Sequence, residues 1–209
     1  MFRSVAFAVT GLALAAGAAS AQPKADLDWP CAQRKVATLG YGSFWTGSDL
    51  GNATSEWGSD RGAAQLARKL ASRRTDLTEV DGLIDEFTAD IKDKDEKDKR
   101  LARVFAGVFE IVNGERSTIV NGITRYAQGQ RKLAERIREE ADKIGETTEG
   151  PSADPTKAAS NDPNGVQNAF TWDRRIFEER NQSVSYVCEV PTLLEQRLGE
   201  LARKIQAKL

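Results

Sequence analysis

The stretch FAGVFEIVNGERSTIVNGITRYAQGQRKLAERIREEADKI, Phe105–Ile144, decides the fold class. Large apolar residues recur in it at intervals of seven, and a second apolar series lies at an offset of four, so both fall on one side of an α-helix. The first series is Phe105, Val112, Ile119, Tyr126 and Leu133, and the second is Phe109, Ile123, Ile137 and Ile144. A period of about 3.5 residues sustained over this length predicts one long helix with a coiled-coil-like seam.

The tetrapeptide IVNG occurs twice inside this stretch, at 111–114 and 119–122. Asn-Gly between apolar residues is also a signal for a β-hairpin, which is the alternative interpretation. The apolar period passes through both copies without a change of phase, so we favour the helix and expect a kink near Gly114 or Gly122. The polar residues Arg116 and Gln130 interrupt the seam.

Helical periodicity also precedes this stretch. Its stripe consists of Ala63, Leu66, Leu70, Leu77, Val80, Ile84, Phe87 and Ile91. This spacing predicts a helix of about 30 residues, capped by Asp60, with Thr75-Asp76 or Gly82 as points of interruption. We therefore predict that residues 61–146 form a long helical hairpin.

The composition changes after Gly145. Residues 147–163 are rich in Pro, Ser and Thr and are predicted to be a flexible linker. Residues 164–209 are predicted to be C-terminal helices that complete the same domain. Pro191 predicts a break there, followed by a last helix of about 18 residues.

The N-terminus, MFRSVAFAVTGLALAAGAASAQ, has a basic residue, an apolar run and a small-residue end. This order predicts a signal peptide over residues 1–21 that is cleaved near Ala21, and hence a periplasmic or secreted protein. The alternative is a membrane anchor, but an anchor needs about 20 apolar residues and this run is shorter. We expect no other membrane span in the chain.

The sequence contains two cysteines, Cys31 in DWPC (28–31) and Cys188 in YVCE (186–189). In an exported protein disulfides persist, and two cysteines allow one intramolecular pairing. Such a bridge would close most of the mature chain in a loop, worth about 5 kcal/mol in the chain-entropy model. The alternative, a reactive or metal-binding thiol pair, lacks CxxC spacing and any histidine.

Residues 22–60 are predicted to be an irregular, aromatic-rich segment. Two interpretations stay open for its rings: they pack on the helical body, or they form an exposed platform or pocket that binds a ligand. Either way, the aromatic residues to examine are Trp29, Tyr41, Phe44, Trp45 and Trp57, together with Trp172 in the C-terminal part.

The segments DWPCAQRKV (28–36) and YVCEVPTLLEQRLGELARKIQ (186–206) together resemble the two ends of a family of small exported bacterial helical proteins that has no assigned activity. The resemblance covers these two terminal segments. It implies the pairing of Cys31 with Cys188 and implies no function.

The composition excludes several classes of chemistry. The sequence has no histidine, and its single methionine is Met1, so the usual ligands of haem, copper and catalytic zinc are missing. Catalysis by Ser-His-Asp or Cys-His sites is excluded for the same reason. We expect no cofactor and no metal. A formal net charge of −1 gives no general attraction to nucleic acid.

These observations predict an all-α protein, an elongated antiparallel bundle of about four helices whose N-terminal aromatic segment is clasped by the disulfide. The predicted function is that of a non-catalytic interaction or scaffold protein, which binds another protein or a second copy through its helices. The alternative is a protein that binds a small molecule or peptide in an aromatic-lined pocket. A carboxylate-based hydrolase is the least favoured class.

Overall fold

A computed structural model describes residues 28–47, 49–149 and 163–209, with side chains for 28–47, 49–146 and 164–209. Within these ranges the regular structure is entirely helical, which confirms the predicted all-α class. The predicted signal peptide and the middle of the predicted linker lie outside them. The elements are a 3-10 turn at Tyr41–Ser43 and the helices α1 (Ala53–Glu56), α2 (Arg61–Ala71), α3 (Val80–Thr88), α4 (Lys94–Glu149) and α5 (Pro163–Gln206).

Helix α4 contains the whole of the stretch that decides the fold. It begins after Asp93, whose side chain accepts a hydrogen bond from the backbone N–H of Glu96 at 2.8 Å and so caps the first turn. The helix then runs through Gly114 and Gly122 for 56 residues, about 84 Å at 1.5 Å per residue. Both IVNG copies are therefore helical, and the hairpin alternative is wrong.

Helix α5 is one element of 44 residues with Pro191 inside it. The predicted break at Pro191, and with it the short last helix, is wrong. Proline removes one backbone hydrogen bond of the helix. Here Pro191 is buried, and α5 is fastened on both sides of it, through the disulfide at Cys188 and the ion pair of Glu195 with Arg116. These contacts offset the missing hydrogen bond.

The segment predicted to be one helix of about 30 residues is two helices, α2 and α3, separated by residues 72–79. Its start is as predicted, because Asp60 Oδ1 accepts from the backbone N–H of Ala63 at 3.0 Å. The separation falls at Thr75-Asp76, the first of the predicted points of interruption. There Asp76 accepts from the backbone N–H of Thr78 at 2.8 Å, which is a local turn that competes with the helix.

Helices α4 and α5 are antiparallel neighbours. Contacts further along α4 involve residues progressively nearer the start of α5. The pairs are Arg116 with Glu195, Gln130 with the carbonyl of Phe177, and Arg136 with Asp173.

The main hydrophobic core lies at one end of this helix pair. It joins α2, α3, the first part of α4 and the last part of α5, and its largest fully buried side chains include Leu70, Ile84, Phe105, Leu198 and Leu201. Beyond it, residues 119–149 of α4 and 163–189 of α5 form what we call the two-helix arm. The N-terminal segment reaches the base of the arm, where Cys31 joins Ile123 and Cys188 in a second, small apolar cluster.

Candidate functional site

The disulfide between Cys31 and Cys188 is present, as predicted. Their Cα atoms lie 5.5 Å apart, and the residues are 157 positions apart in the sequence. Both cysteines are buried, and Trp29 packs against their cluster while its Nε1 donates to the carbonyl of Gln33 at 2.5 Å. The bridge therefore fastens the N-terminal segment to the base of the two-helix arm.

Three of the candidate aromatics pack against two phenylalanines of α4, two by stacking and one edge to face. Tyr41 stacks on Phe109 with ring centroids 3.9 Å apart, and Trp45 stacks on Phe105 at 4.5 Å. Phe44 meets Phe109 edge to face at 6.2 Å. Trp45 is only 7% exposed. These rings serve as packing between the irregular segment and the core.

Tyr41 is further fixed by its hydroxyl, which donates to Glu110 Oε1 at 2.6 Å. Burial, the hydrogen bond and the negative charge of Glu110 together raise the pKa of Tyr41 well above its usual range. The phenol therefore stays protonated at neutral pH and acts as a donor in a structural contact.

Trp57 packs where α2 and α4 approach most closely. A Cβ atom placed on Gly107 would lie 2.7 Å from Trp57 Cε3 and 2.7 Å from Ala67 Cβ. Glycine is thus required at this position of α4, because any side chain would push the tryptophan and α2 away.

Three polar residues are buried along the contact between α4 and α5. Arg116 is 3% exposed; its Nε donates to Glu195 Oε1 at 2.5 Å and its Nη2 to the carbonyl of Val36 at 2.8 Å. Gln130 donates to the carbonyl of Phe177 at 3.3 Å, and Asp173 accepts from Arg136. The two polar interruptions predicted in the seam therefore fix the alignment of α4 against α5.

Trp172 differs from the other candidate aromatics because it is 63% exposed. It belongs to a set of large apolar side chains along one side of α5, of which Val187 also borders a cavity against α4 and Val190 packs partly against the main core. Together with the half-buried Ile176 and Val190, they make up what we call the α5 stripe: Trp172, Ile176, Tyr186, Val187, Val190 and Leu193. At about 100° per residue these positions fall within one third of the helix circumference.

Tyr186, Val187 and Leu193 were not singled out from the sequence. Phe177 and Val184, which are spaced by seven, border a cavity between α5 and α4. A second periodicity was available, because Trp172, Tyr186 and Leu193 are also separated by multiples of seven. Because α5 carries two apolar stripes, the periodicity of the sequence did not show which of them is exposed.

The face that carries the stripe is covered further along α5. Arg197 donates to the carbonyls of Leu70, Ser72 and Thr75 at 3.0, 2.8 and 2.8 Å, and Lys204 Nζ lies 2.5 Å from Asp81 Oδ2. Burial lowers the pKa of Arg197, and the nearby charge of Asp76 opposes this shift. The α2–α3 corner thus occupies this face from Arg197 onward, and the face is open from Trp172 to Leu193.

Two small apolar cavities lie between the helices of the arm. One, of about 190 Å³, is lined by Ile123, Tyr126, Val184 and Val187, and the other, of about 200 Å³, by Tyr126, Phe177, Val184 and Pro30 among others. Burial raises the pKa of the Tyr126 hydroxyl, and the positive charge of Arg180 opposes this shift. Phe44 lines a separate, more polar cleft of about 530 Å³ beside Glu195 and Arg203.

Two surveys of the described part of the chain concern metals and membranes. Its residues contain no group of three or more carboxylate, cysteine or histidine side chains placed to hold a metal ion. None of its helices combines the length and the apolar character needed to cross a bilayer.

The chain was compared with protein-family models, with curated proteins and with solved structures, and none of the three comparisons gives a match.

Proposed function

We propose that this chain is an exported, non-catalytic interaction protein that binds another protein through its two-helix arm. The observation that carries this proposal is the α5 stripe. Trp172 and Tyr186 are 63% and 75% exposed, and Leu193 is 58% exposed. Exposed apolar residues of this size, aligned on one side of a helix, are typical of protein interfaces, where Trp and Tyr supply much of the binding energy.

Export is supported by the disulfide, since disulfides persist in oxidising compartments. The predicted signal peptide and the resemblance of the terminal segments to exported bacterial proteins agree with it. We propose that the mature chain works in the periplasm or outside the cell. In the same proposal the pair of helices α4 and α5 adopts coiled-coil geometry, with Arg116 and Gln130 as the polar residues that fix its register.

The charged groups near one acidic cleft favour a structural role. This cleft, about 530 Å³ in volume, is lined by Glu56, Asp95, Asp98 and Arg103, and Arg103 Nη2 donates to Glu56 Oε2 at 2.9 Å. Next to it, Asp60 is held by Arg100 at 3.0 Å. Burial disfavours the charge of Asp60, but hydrogen bonds from Arg100 and the backbone N–H of Ala63 outweigh it and lower the pKa of Asp60, whereas a general acid needs a raised pKa.

A second candidate function rests on the two cavities beside Tyr126. An apolar ligand could fill them, which corresponds to the small-molecule alternative. Each cavity has about 200 Å³, below the roughly 300 Å³ at which ligand pockets usually begin. The exposed stripe is therefore the better supported site.

The proposal can be tested by site-specific photo-crosslinking in the cells that export the protein. A photoreactive residue at Ser183 lies in the middle of the α5 stripe, and one at Asn181 lies on the opposite side of the same helix. We expect a protein adduct from position 183 that is lost in the Tyr186→Asp variant, and none from position 181. Absence of any protein adduct at 183 would contradict an interaction role for this face.

A further inference from the structure

We infer that the partner of the α5 stripe is a second copy of this chain, which packs its own α5 antiparallel to the first across a two-fold axis between Glu179 and Ser183. This inference rests on the proposed function, because it names the protein that the exposed stripe binds. It has three supports: the spacing of the stripe, the charges beside it, and the place at which the chain's own elements stop covering this face.

The first support is the spacing. Five of the six stripe residues, all but Val187, fall on a series of positions separated alternately by three and four residues. The positions of this series are Ala169, Trp172, Ile176, Glu179, Ser183, Tyr186, Val190 and Leu193. This is the pattern of a and d positions of a heptad, and it runs beside the seam that faces α4, with Ser183 bordering both.

The same pattern is self-complementary when the chain direction is reversed. In an antiparallel pair each a position faces a d position of the other helix. With the two-fold between Glu179 and Ser183, Trp172 faces Val190 of the second copy and Ile176 faces Tyr186 of the second copy. Leu193 faces the small, exposed Ala169 at the ends. Each of these five large residues thus meets an apolar residue, and the polar pair, Glu179 with Ser183, falls at the centre, where the two can hydrogen-bond.

The second support is the charge pattern on one flank of the stripe. Arg175, Gln182 and Glu189 are exposed and spaced by seven, so they occupy one edge of the helix. Reversal about the same two-fold places Arg175 opposite Glu189 of the second copy, and Gln182 opposite its own equivalent. Two intermolecular Arg–Glu pairs form at once. In a single copy, Arg175 is 72% exposed and makes only a local ion pair with Glu179 at 2.9 Å.

The other flank carries a single opposing charge. Arg180 is exposed, and the two-fold brings it toward its equivalent in the second copy. This contact is repulsive, and the two Arg–Glu pairs outweigh it. Removal of this charge in the Arg180→Gln variant should therefore strengthen the pairing.

The third support is the position along α5 at which the chain's own α2–α3 corner stops covering this face. The α2–α3 corner covers this face of α5 from Arg197 onward, and the open part runs from Trp172 to Leu193, about 32 Å at 1.5 Å per residue. A second arm laid along this length would cover the stripe on both copies. The two arms would then contribute four helices to one bundle, an arrangement in which each helix buries its apolar side.

The test is the mass of the exported, disulfide-bonded chain in solution, measured by sedimentation equilibrium over a range of concentrations. We expect a dimer in the wild type. Arg175→Glu and Glu189→Arg should each raise the dimer dissociation constant at least about tenfold, because each replaces two attractive contacts with two repulsive ones. The variant carrying both substitutions should restore the wild-type constant, because the pairs re-form with reversed charges.

A matched control lies one residue away. Arg174 makes the same kind of local ion pair, with Glu178 at 3.2 Å, on a side of α5 outside the stripe. Arg174→Glu should leave the dissociation constant unchanged. Circular dichroism of every variant shows whether α5 has folded, so that loss of pairing is not confused with loss of structure.

A cysteine at position 182 provides a second measurement. The two-fold places Gln182 next to its equivalent, so Gln182→Cys should form an intermolecular disulfide between identical peptides, whereas Asn181→Cys should not. Peptide mapping also verifies that the bridge from Cys31 to Cys188 is intact.

The outcomes separate this inference from the proposed function. A wild-type chain that is monomeric at several hundred micromolar would overturn self-pairing through the α5 stripe. A dimer whose dissociation constant is the same in the charge-reversal variants as in the wild type would overturn it as well. If such a monomer still gave an adduct with a different protein from position 183, the proposed function would stand. A monomer that gave no adduct would contradict both the self-pairing and the proposed interaction function.

Discussion

The Nε of Arg116 on α4 lies 2.5 Å from Oε1 of Glu195 on α5, and the guanidinium is only 3% exposed. The same group donates to the carbonyl of Val36 at 2.8 Å, so one side chain holds the N-terminal segment, α4 and α5 together. A buried ion pair gains little net stability over an apolar contact, but removal of one partner is costly because it leaves a poorly solvated charge.

Arg116→Ala should therefore lower the free energy of unfolding by about 3 kcal/mol, since Glu195 loses its partner and the carbonyl of Val36 loses its donor. Urea unfolding followed by circular dichroism measures this. The control is Arg203→Ala, which removes an exposed ion pair with Glu200 on the same helix and should change stability by less than about 0.5 kcal/mol. Equal effects of the two substitutions would show that Arg116 is not a structural link.

The sequence identified Arg116 as an interruption of the apolar seam but could not identify its partner. Glu195 faces Arg116 only because α5 continues through Pro191, and the local rule for proline predicts a break there. The long-range contacts that overrule this rule, at Cys188 and Glu195, are visible only once the chain is folded. Element type was predictable from periodicity, and element length was not.

The same reasoning explains the division between α2 and α3. The apolar period continues through residues 72–79, yet the helix stops because Arg197, 122 to 127 positions away, supplies donors for the carbonyls of Leu70, Ser72 and Thr75. The packing of Tyr41, Phe44 and Trp45 followed from their size and apolar character. Trp172 has the same chemical character but is exposed, and composition alone could not separate it from them.

Pro191→Ala should raise the free energy of unfolding by about 1 kcal/mol. Alanine restores the backbone donor that proline lacks, a gain of up to about 3 kcal/mol in a helix interior, and it loses part of the buried ring contact, about 1–2 kcal/mol. Thermal melting with and without the substitution measures the difference. Pro30→Ala, at an exposed position outside the helices, should give no stabilisation. A lower melting temperature for Pro191→Ala would mean that the ring packing dominates.

Replacement of two different glycines of α4 by alanine should change the free energy of unfolding in opposite directions. At Gly107 a Cβ would lie 2.7 Å from both Ala67 and Trp57, so Gly107→Ala should cost about 1–3 kcal/mol through overpacking. At Gly114 nothing lies within 4 Å, and Gly114→Ala should gain about 1 kcal/mol of helix propensity. Urea unfolding of the two variants compares them directly. Stabilisation by both would contradict the close approach of α2 to α4.

Asp60 should make the stability depend on pH in the acid range. Burial disfavours its charge, but hydrogen bonds from Arg100 and the backbone N–H of Ala63, with the charges of Arg100 and Arg103, outweigh burial and lower the pKa of Asp60 below 3.8. A carboxyl with a lowered folded-state pKa stabilises the fold above its unfolded-state pKa, and this contribution is lost as the pH falls through the folded-state pKa.

Asp60→Asn isolates this contribution, because asparagine keeps an oxygen for the helix cap and removes the charge. We expect the variant to be about 1–2 kcal/mol less stable than the wild type at pH 7. The difference should narrow as the pH falls below about 4 and vanish at lower pH. Urea unfolding at pH 7, 4 and 3 tests this, and a gap that stays constant across these values would show that the charge of Asp60 is not what stabilises α2.

The disulfide should contribute more to stability than any single contact considered above. It closes a loop of 157 positions, for which the chain-entropy model gives about 5 kcal/mol, with residual structure in the unfolded chain reducing the measured value. Replacement of both Cys31 and Cys188 by serine should lower the melting temperature while the helical circular dichroism signal remains, because the main core of α2 to α5 does not include the bridge. Limited proteolysis should then cut first within residues 28–38, whose link to the arm is lost. A double variant that melts like the wild type, with residues 28–38 still protected, would show that Arg116 and the stacked aromatics hold this segment without the bridge.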